Sequence, residues 1–270
     1  MKNQLKCLRL FRSFHEANDE VMYTSIQQAQ IFDNKVINLS WTSLSPYDIE
    51  CVTLFLTCSP HKELNLFNCH IQDIGLRIIY RDLMSHNVTI KILNLGSNGF
   101  TRSSSSFIND LIIHCRVEEL NINGNDTMGE DPALYNMLTH PSSRLVRLYM
   151  SYTSLSSPSA ITLFTELAKG NKLKELDISN NLITDEACDV TATAMKNNTS
   201  LVRLEMWGNE ISGEAAQCLV QALNNNNTLE DLWLPLYSED VEMRIRSLQE
   251  QINENRESRG CQAKLNITWW

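Results

Sequence analysis

One pattern constrains this chain more than any other feature. Alignment on L-x-x-L-x-L-x-x-N-x-L gives eight copies, beginning at Asn34, His61, Ile90, Val117, Leu145, Leu173, Leu201 and Leu229. Successive starts lie 27, 29, 27, 28, 28, 28 and 28 residues apart. The clearest copies are LKELDISNNLI from Leu173 and LVRLEMWGNEI from Leu201. A period held this closely specifies a stack of similar units.

Each unit reads as a short strand followed by a helix. Positions four and six point to one side, as with Leu148 and Met150, Leu176 and Ile178, and Leu204 and Met206. Positions three, five and seven point to the other side, because side chains alternate along a strand. The next segment has helical spacing: Ala187, Val190, Ala194 and Met195 in the sixth unit, and Ala215, Cys218, Leu219, Ala222 and Leu223 in the seventh. Asp185 and Gly213 fall at the starts of these helices. NNT or NNNNT closes each of these two units, so sequons such as Asn198-Thr-Ser and Asn87-Val-Thr read as turns rather than glycan sites. One unit cannot bury its apolar side alone; stacking buries it against both neighbours. Each buried Leu or Ile contributes roughly 1.5–3 kcal/mol.

Asn98, Asn125, Asn181 and Asn209 occupy position nine. There an amide can pair backbone groups of the turn, each of which would cost about 1–3 kcal/mol if buried unpaired. Thr42, Cys69 and Thr153 are weaker substitutes at that place, and Tyr237 breaks the rule. The expected organisation is an N-terminal helical cap over residues 1–33, eight repeats over 34–239, and a C-terminal cap over 240–270. The first cap carries Leu8, Phe11, Phe14, Val21, Met22 and Ile26. The second has Val241, Ile245, Leu248 and Ile252 on one helix side, a stop at Gly260, and a strand-like tail, LNITWW.

A period near 28 with this motif resembles the ribonuclease-inhibitor class of leucine-rich repeats, over about residues 34–239. The resemblance implies an α/β solenoid, a horseshoe with a parallel inner sheet and outer helices. Upstream, LRLFRSFHEANDEVMYTSI from Leu8 to Ile26 resembles the segment before the repeats of animal NACHT-type nucleotide-binding leucine-rich-repeat receptors, the NLRs. That implies the ligand-sensing region of an innate immune receptor, in which the repeats recognise ligand. The P-loop G-x-x-x-x-G-K-[ST] does not occur in these residues, and Gly170-Asn171-Lys172 reads as a helix-ending turn. ATP binding is therefore not carried over.

Several chemistries find no support in the sequence. A net charge of -9 with scattered Lys and Arg argues against nucleic acid. His15-Glu16 does not continue to H-E-x-x-H, and neither G-x-S-x-G nor C-x-x-C occurs. We expect a protein that is not an enzyme and needs neither cofactor nor metal. MKNQLKCLRLFRSF lacks the apolar core of a signal peptide, and no window is long and apolar enough for a membrane span. A cytoplasmic, reduced protein with no membrane contact is expected; its oligomeric state stays open.

The informative surface is the inner, concave one. Column five reads Asn38, Asn65, Asn94, Asn121, Tyr149, Asp177, Glu205, Trp233. Trp, Tyr and Arg dominate binding hot spots, because they bury large area and keep a polar handle. The expected site for a protein partner is Arg147, Tyr149, Tyr152, Arg203, Glu205, Trp207, Asp231 and Trp233. Two alternatives stay open. Trp207 and Trp233 could instead pack under the C-terminal cap, and the Asn column could serve only to keep the face wetted. A different class of function, regulation of an enzyme by a GTPase activator or a ribonuclease-inhibitor-like protein, is also compatible with the repeat.

Overall fold

The structure, a computed structural model, describes Leu8, Arg9, Arg12, Ser13 and residues 36–270. Most of the expected N-terminal cap therefore lies outside the described residues. Leu8 is fully buried, and Arg9 and Arg12 pair with Asp48 and Glu50, at 2.5 and 2.6 Å.

The chain forms two compact units. The first comprises Met1–Asn125 with Ser142–Leu145, the second Asp126–Pro141 with Val146–Trp270. Strands β1 (Val36–Asn38), β2 (Glu63–Asn65), β3 (Ile92–Asn94) and β4 (Glu119–Asn121) form a parallel ladder in the first unit. Helices α1 (Pro46–Cys58), α2 (Gln72–Ser85) and α3 (Ser105–His114) pack in sequence beside it. In the second unit β5 (Arg147–Tyr149), β6 (Glu175–Asp177), β7 (Arg203–Glu205), β8 (Asp231–Leu234) and β9 (Asn266–Trp269) are again parallel neighbours. That unit also holds α4 (Asn136–Thr139), α5 (Ser157–Ala168), α6 (Cys188–Asn197), α7 (Gly213–Ala222) and α8 (Glu239–Ser258). Both units are α/β leucine-rich-repeat solenoids.

Burial follows the repeat. Positions four and six are buried in all eight copies, from Ile37 and Leu39 to Leu232 and Leu234. Strand pairing is in register, position four against position four. Start signals fix the helices locally. Ser45 and Asp48 form a capping box at α1, with Pro46 at the first helical position. Ser212 accepts the Ala215 N–H at α7. Gly213 is required here by space: a Cβ would lie 2.7 Å from Val241 Cγ1 of α8.

Two helical expectations need correction. The seventh-unit stripe is displaced by one residue: Ala216, Leu219, Val220 and Leu223 are buried, whereas Cys218 is exposed. The fourth copy has no full helix after its strand. It runs through 3-10 turns, Met128–Glu130 and Pro132–Tyr135, into the four-residue α4. Thr127 stands in the left-handed region, which a regular helix does not admit, and Pro132 opens the second turn. The buried Tyr135 holds this segment by donating its hydroxyl to the Gly129 carbonyl at 2.6 Å.

Position nine carries the turn. Asn181 Oδ1 accepts the N–H groups of Thr153 and Leu155 from the preceding repeat, both at 3.0 Å. Its Nδ2 donates to the carbonyls of Met150, Ile178 and Ser179, each at 3.0 Å. Asn98, Asn125 and Asn209 bridge repeats in the same manner. Cys69 and Thr153 act as expected, donating to Leu39 O and Met150 O at 3.1 and 2.8 Å. Burial pushes the Cys69 thiol up to about 11, so it stays protonated. A second set of amides closes the other end of the repeat. Asn198 and Asn226 are buried, and both bond backbone groups through Oδ1 and Nδ2. The Asn198 sequon is thus a structural turn.

The final helix buries one charged residue. Arg256, within a charged run, is 1% exposed. Its guanidinium donates to the carbonyls of Asn226 and Leu229, at 3.0 and 2.8 Å. It closes carbonyls that no further repeat covers. Glu239 begins α8 together with Asp240 and Glu242 in its first turn, where the helix dipole favours negative charge. Gly260, at φ +76°, follows the helix.

Asn181→Ala leaves several buried backbone groups unpaired at once. We predict a loss of about 2–4 kcal/mol in chemical denaturation. A loss below about 0.5 kcal/mol would show that the amide is dispensable.

Candidate functional site

Beyond each strand the backbone turns through a left-handed residue at position eight. Trp41, Asn68, Ser97, Gly124, Tyr152, Asn180 and Gly208 all have φ between 51 and 69°. Gly, Asn and, less readily, Ser tolerate this region; for a bulky residue it costs roughly 1–2 kcal/mol. Gly208 is further confined, because a Cβ would lie 2.5 Å from Asn180 Oδ1. Trp41 and Tyr152 are therefore anomalies. They are 68% and 61% exposed, so burial does not compensate the strain. Trp41 meets Phe67 edge-on, with ring centroids 5.4 Å apart.

Column five has a structural norm. Asn38, Asn65, Asn94 and Asn121 each accept the N–H two residues onward through Oδ1, at 2.9–3.1 Å. Asp177 does the same for Ser179 at 2.9 Å. The Asn column thus builds the turn rather than merely wetting the face. Tyr149, Glu205 and Trp233 occupy the same column without the Asn or Asp side chain that makes this turn. All three belong to the second unit and were singled out by sequence.

The structure brings most of the expected residues together on one strand face. Column three alternates in charge: Arg147, Glu175, Arg203 and Asp231 are in-register neighbours. Arg203 reaches Glu175 at 3.7 Å on one side and Asp231 at 3.3 Å on the other. Such exposed pairs contribute about 0–1 kcal/mol. Tyr149 donates its hydroxyl to Glu175 at 3.2 Å. In column five Glu205 stands between Asp177 and Trp233. Burial and the neighbouring Asp177 push the Glu205 carboxyl above the usual carboxylate range, and Glu175 adds to this. The Trp207 indole and Arg203 act the other way. Trp207 donates its Nε1 proton to Glu205 at 3.4 Å.

A residue outside the expected set completes the surface. Strand β9 extends the ladder beside β8, and Trp270 follows it. Its ring lies 5.9 Å from Trp207 and 6.1 Å from Trp233, stacked on the latter at 21°. Trp207 and Trp233 are half-buried, while Trp270 is 64% exposed. The tryptophans therefore form a layer, partly covered by the C-terminal strand and partly open.

On the helical side of the first unit, Arg12, Glu50, Leu54, Thr57, Arg81, Asp82 and His86 line a cavity of about 330 Å³. Its guanidinium groups are engaged with its own carboxylates. Among the described residues no group of three His, Cys, Asp or Glu side chains is placed to hold a metal ion. No helix among them is long and apolar enough to cross a membrane.

These repeats are leucine-rich repeats of the ribonuclease-inhibitor type, and they resemble the C-terminal repeats of NLR receptors. The family described as Leucine Rich repeat matches residues 62–77, 171–189 and 197–220. The mouse protein named NACHT, LRR and PYD domains-containing protein 4E is 25% identical over 202 residues, which is 73% of this chain. This chain spans 20% of the length of that relative. Among solved structures, leiomodin-1 actin-binding site 2 aligns at 17% identity with a TM-score of 0.47, covering 59% of this chain and 93% of that one. The tropomodulin C-terminal domain of Caenorhabditis elegans aligns at 14% identity with a TM-score of 0.40, covering 68% of this chain and 97% of that one.

Two substitutions test whether this face carries a stability penalty. Tyr152→Asn places at position eight a residue that other repeats already use there. We predict about 1 kcal/mol of added stability in a denaturant melt; a loss would remove the strain argument. Glu205 binds its proton more tightly folded than unfolded, so its penalty is complete at neutral pH and fades as pH falls through its folded range. Glu205→Gln should raise Tm at about pH 7, with the gain shrinking towards about pH 4. An equal shift at both pH values, or a lowered Tm, contradicts this.

Proposed function

We propose that this chain recognises a protein partner through the strand face of its second unit. The site consists of Arg147, Tyr149, Tyr152, Arg203, Glu205, Trp207, Asp231 and Trp233, with Trp270 added. One observation carries the reading: the second unit departs from a turn-forming Asn or Asp at three of its four column-five positions, where the first unit has Asn throughout; the strained position eight is shared by both units, at Tyr152 and at Trp41. Tyr152 replaces a residue suited to left-handed backbone. Tyr149, Glu205 and Trp233 replace the turn-forming Asn or Asp. Backbone strain and neighbouring like charges persist where function retains them. The exposed Trp270 indole, stacked on the half-buried Trp233, supplies contact area on a rigid ladder at small entropic cost.

Within that reading, the chain acts as the sensing region of an NLR-like innate immune receptor in the cytoplasm. Support comes from the repeat type and from the mouse relative, whose name joins leucine-rich repeats to NACHT and PYD domains. Binding, not catalysis, is the proposed activity, and no cofactor takes part.

Affinity capture from cytosol tests the site. The wild-type chain should retain a partner that Tyr152→Asn and Trp207→Ala each weaken about tenfold or more. Met243→Ala, at an exposed position on α8, should leave it unchanged. Tyr152→Asn guards against misfolding, since it is expected to stabilise the chain. Full retention by both face variants would place the binding surface elsewhere.

A further inference from the structure

The chemistry of this face is unbalanced. Columns three and five of the second unit hold four carboxylates, Glu175, Asp177, Glu205 and Asp231, against two guanidinium groups, Arg147 and Arg203. Arg203 already bridges Glu175 and Asp231. Asp177 and Glu205 are in-register neighbours, a pairing that is destabilising for like charges. Next to them lie the Trp233 and Trp270 rings and the Trp207 indole, which touches Glu205. An electron-rich ring surface bordered by carboxylates attracts a cation twice, through the ring faces and through opposite charge. Neutral and anionic groups gain neither attraction.

We propose, resting on the reading of this face as a recognition surface, that its partner inserts an arginine or lysine side chain from a basic segment. The cation lies against the ring faces of Trp233 and Trp270 and pairs with Glu205 one strand away, with Asp177, a strand further, adding to the attraction. Neighbouring strands are about 4.8 Å apart, so one long side chain spans the step from ring to carboxylate. The partner's charge then relieves a repulsion that the free protein carries.

A hexa-arginine peptide, titrated against the full chain and followed by indole fluorescence, tests this. Hexa-citrulline, of the same shape without charge, is the comparator. Hexa-arginine should change the emission saturably, and hexa-citrulline should not. Glu205→Gln and Asp177→Asn should each weaken binding about tenfold. The asparagine keeps the turn that Asn residues make in the first unit, so this variant is expected to fold. Glu254→Gln, an exposed acid on α8 with the same charge change, should alter affinity less than about twofold. Trp270→Leu should weaken binding and reduce the emission change, with Trp207 and Trp233 still reporting what binding remains. Equal weakening by Glu254→Gln, equal binding of hexa-citrulline, or no binding of hexa-arginine would each overturn the proposal. If hexa-arginine fails while Tyr152→Asn and Trp207→Ala still lose the captured partner, only the cation is refuted and the recognition face stands.

Discussion

The amide at position nine is the interaction on which the other features of the repeat depend. It joins the N–H groups of one turn to the carbonyls of the next, through one side chain and in a dry place. Where backbone is buried without such a partner, each orphan group costs about 1–3 kcal/mol. Because the amide spans two repeats, it fixes the rise from strand to strand. It also fixes which residues face away from the core. Positions three, five and seven lie outside the apolar core that positions four and six build, and the sequence can vary more there. That freedom separates the stabilising part of the repeat from the part that can bind.

The second unit uses this freedom at a cost. Tyr152 stands in left-handed backbone. Glu205 stands beside Asp177 with its proton held more tightly than usual. Trp270 leaves most of its surface in water. Each is unfavourable for the isolated chain and favourable for a surface that must make contact. The first unit shows the contrast: column five there is Asn throughout, each with its oxygen engaged in a turn.

Much of this was legible in the sequence because the repeat is periodic. The period located strands β1 to β8, and positions four and six located the core, since each buried pair recurs at the same offset. Asn181 and its equivalents could be assigned to the turn from hydrogen-bonding capacity alone. Other features depend on neighbours that a single repeat does not contain. The left-handed φ at position eight arises from the turn geometry, and nothing in the Trp41 or Tyr152 side chain announces it. Arg256 lies among charged residues near the helix end, yet it is buried because the carbonyls of Asn226 and Leu229 need donors. The helix of the seventh unit was displaced by one residue because α8 covers one side of α7 and sets which face is hidden. Trp270 was missed for want of a register. Placing Thr268 beside Trp233 puts Trp270, two residues on, over the same face.

Amide hydrogen exchange at Thr153, Leu155 and Ile183 tests the central claim most directly. Their N–H groups lie outside the strands and are held only by the amide oxygens of Asn181 and Asn209. Protection equal to that of the neighbouring strand residues is predicted, with loss at Thr153 and Leu155 in Asn181→Ala and retention at Ile183. Exchange as fast as that of exposed loops in the wild-type chain would contradict the account.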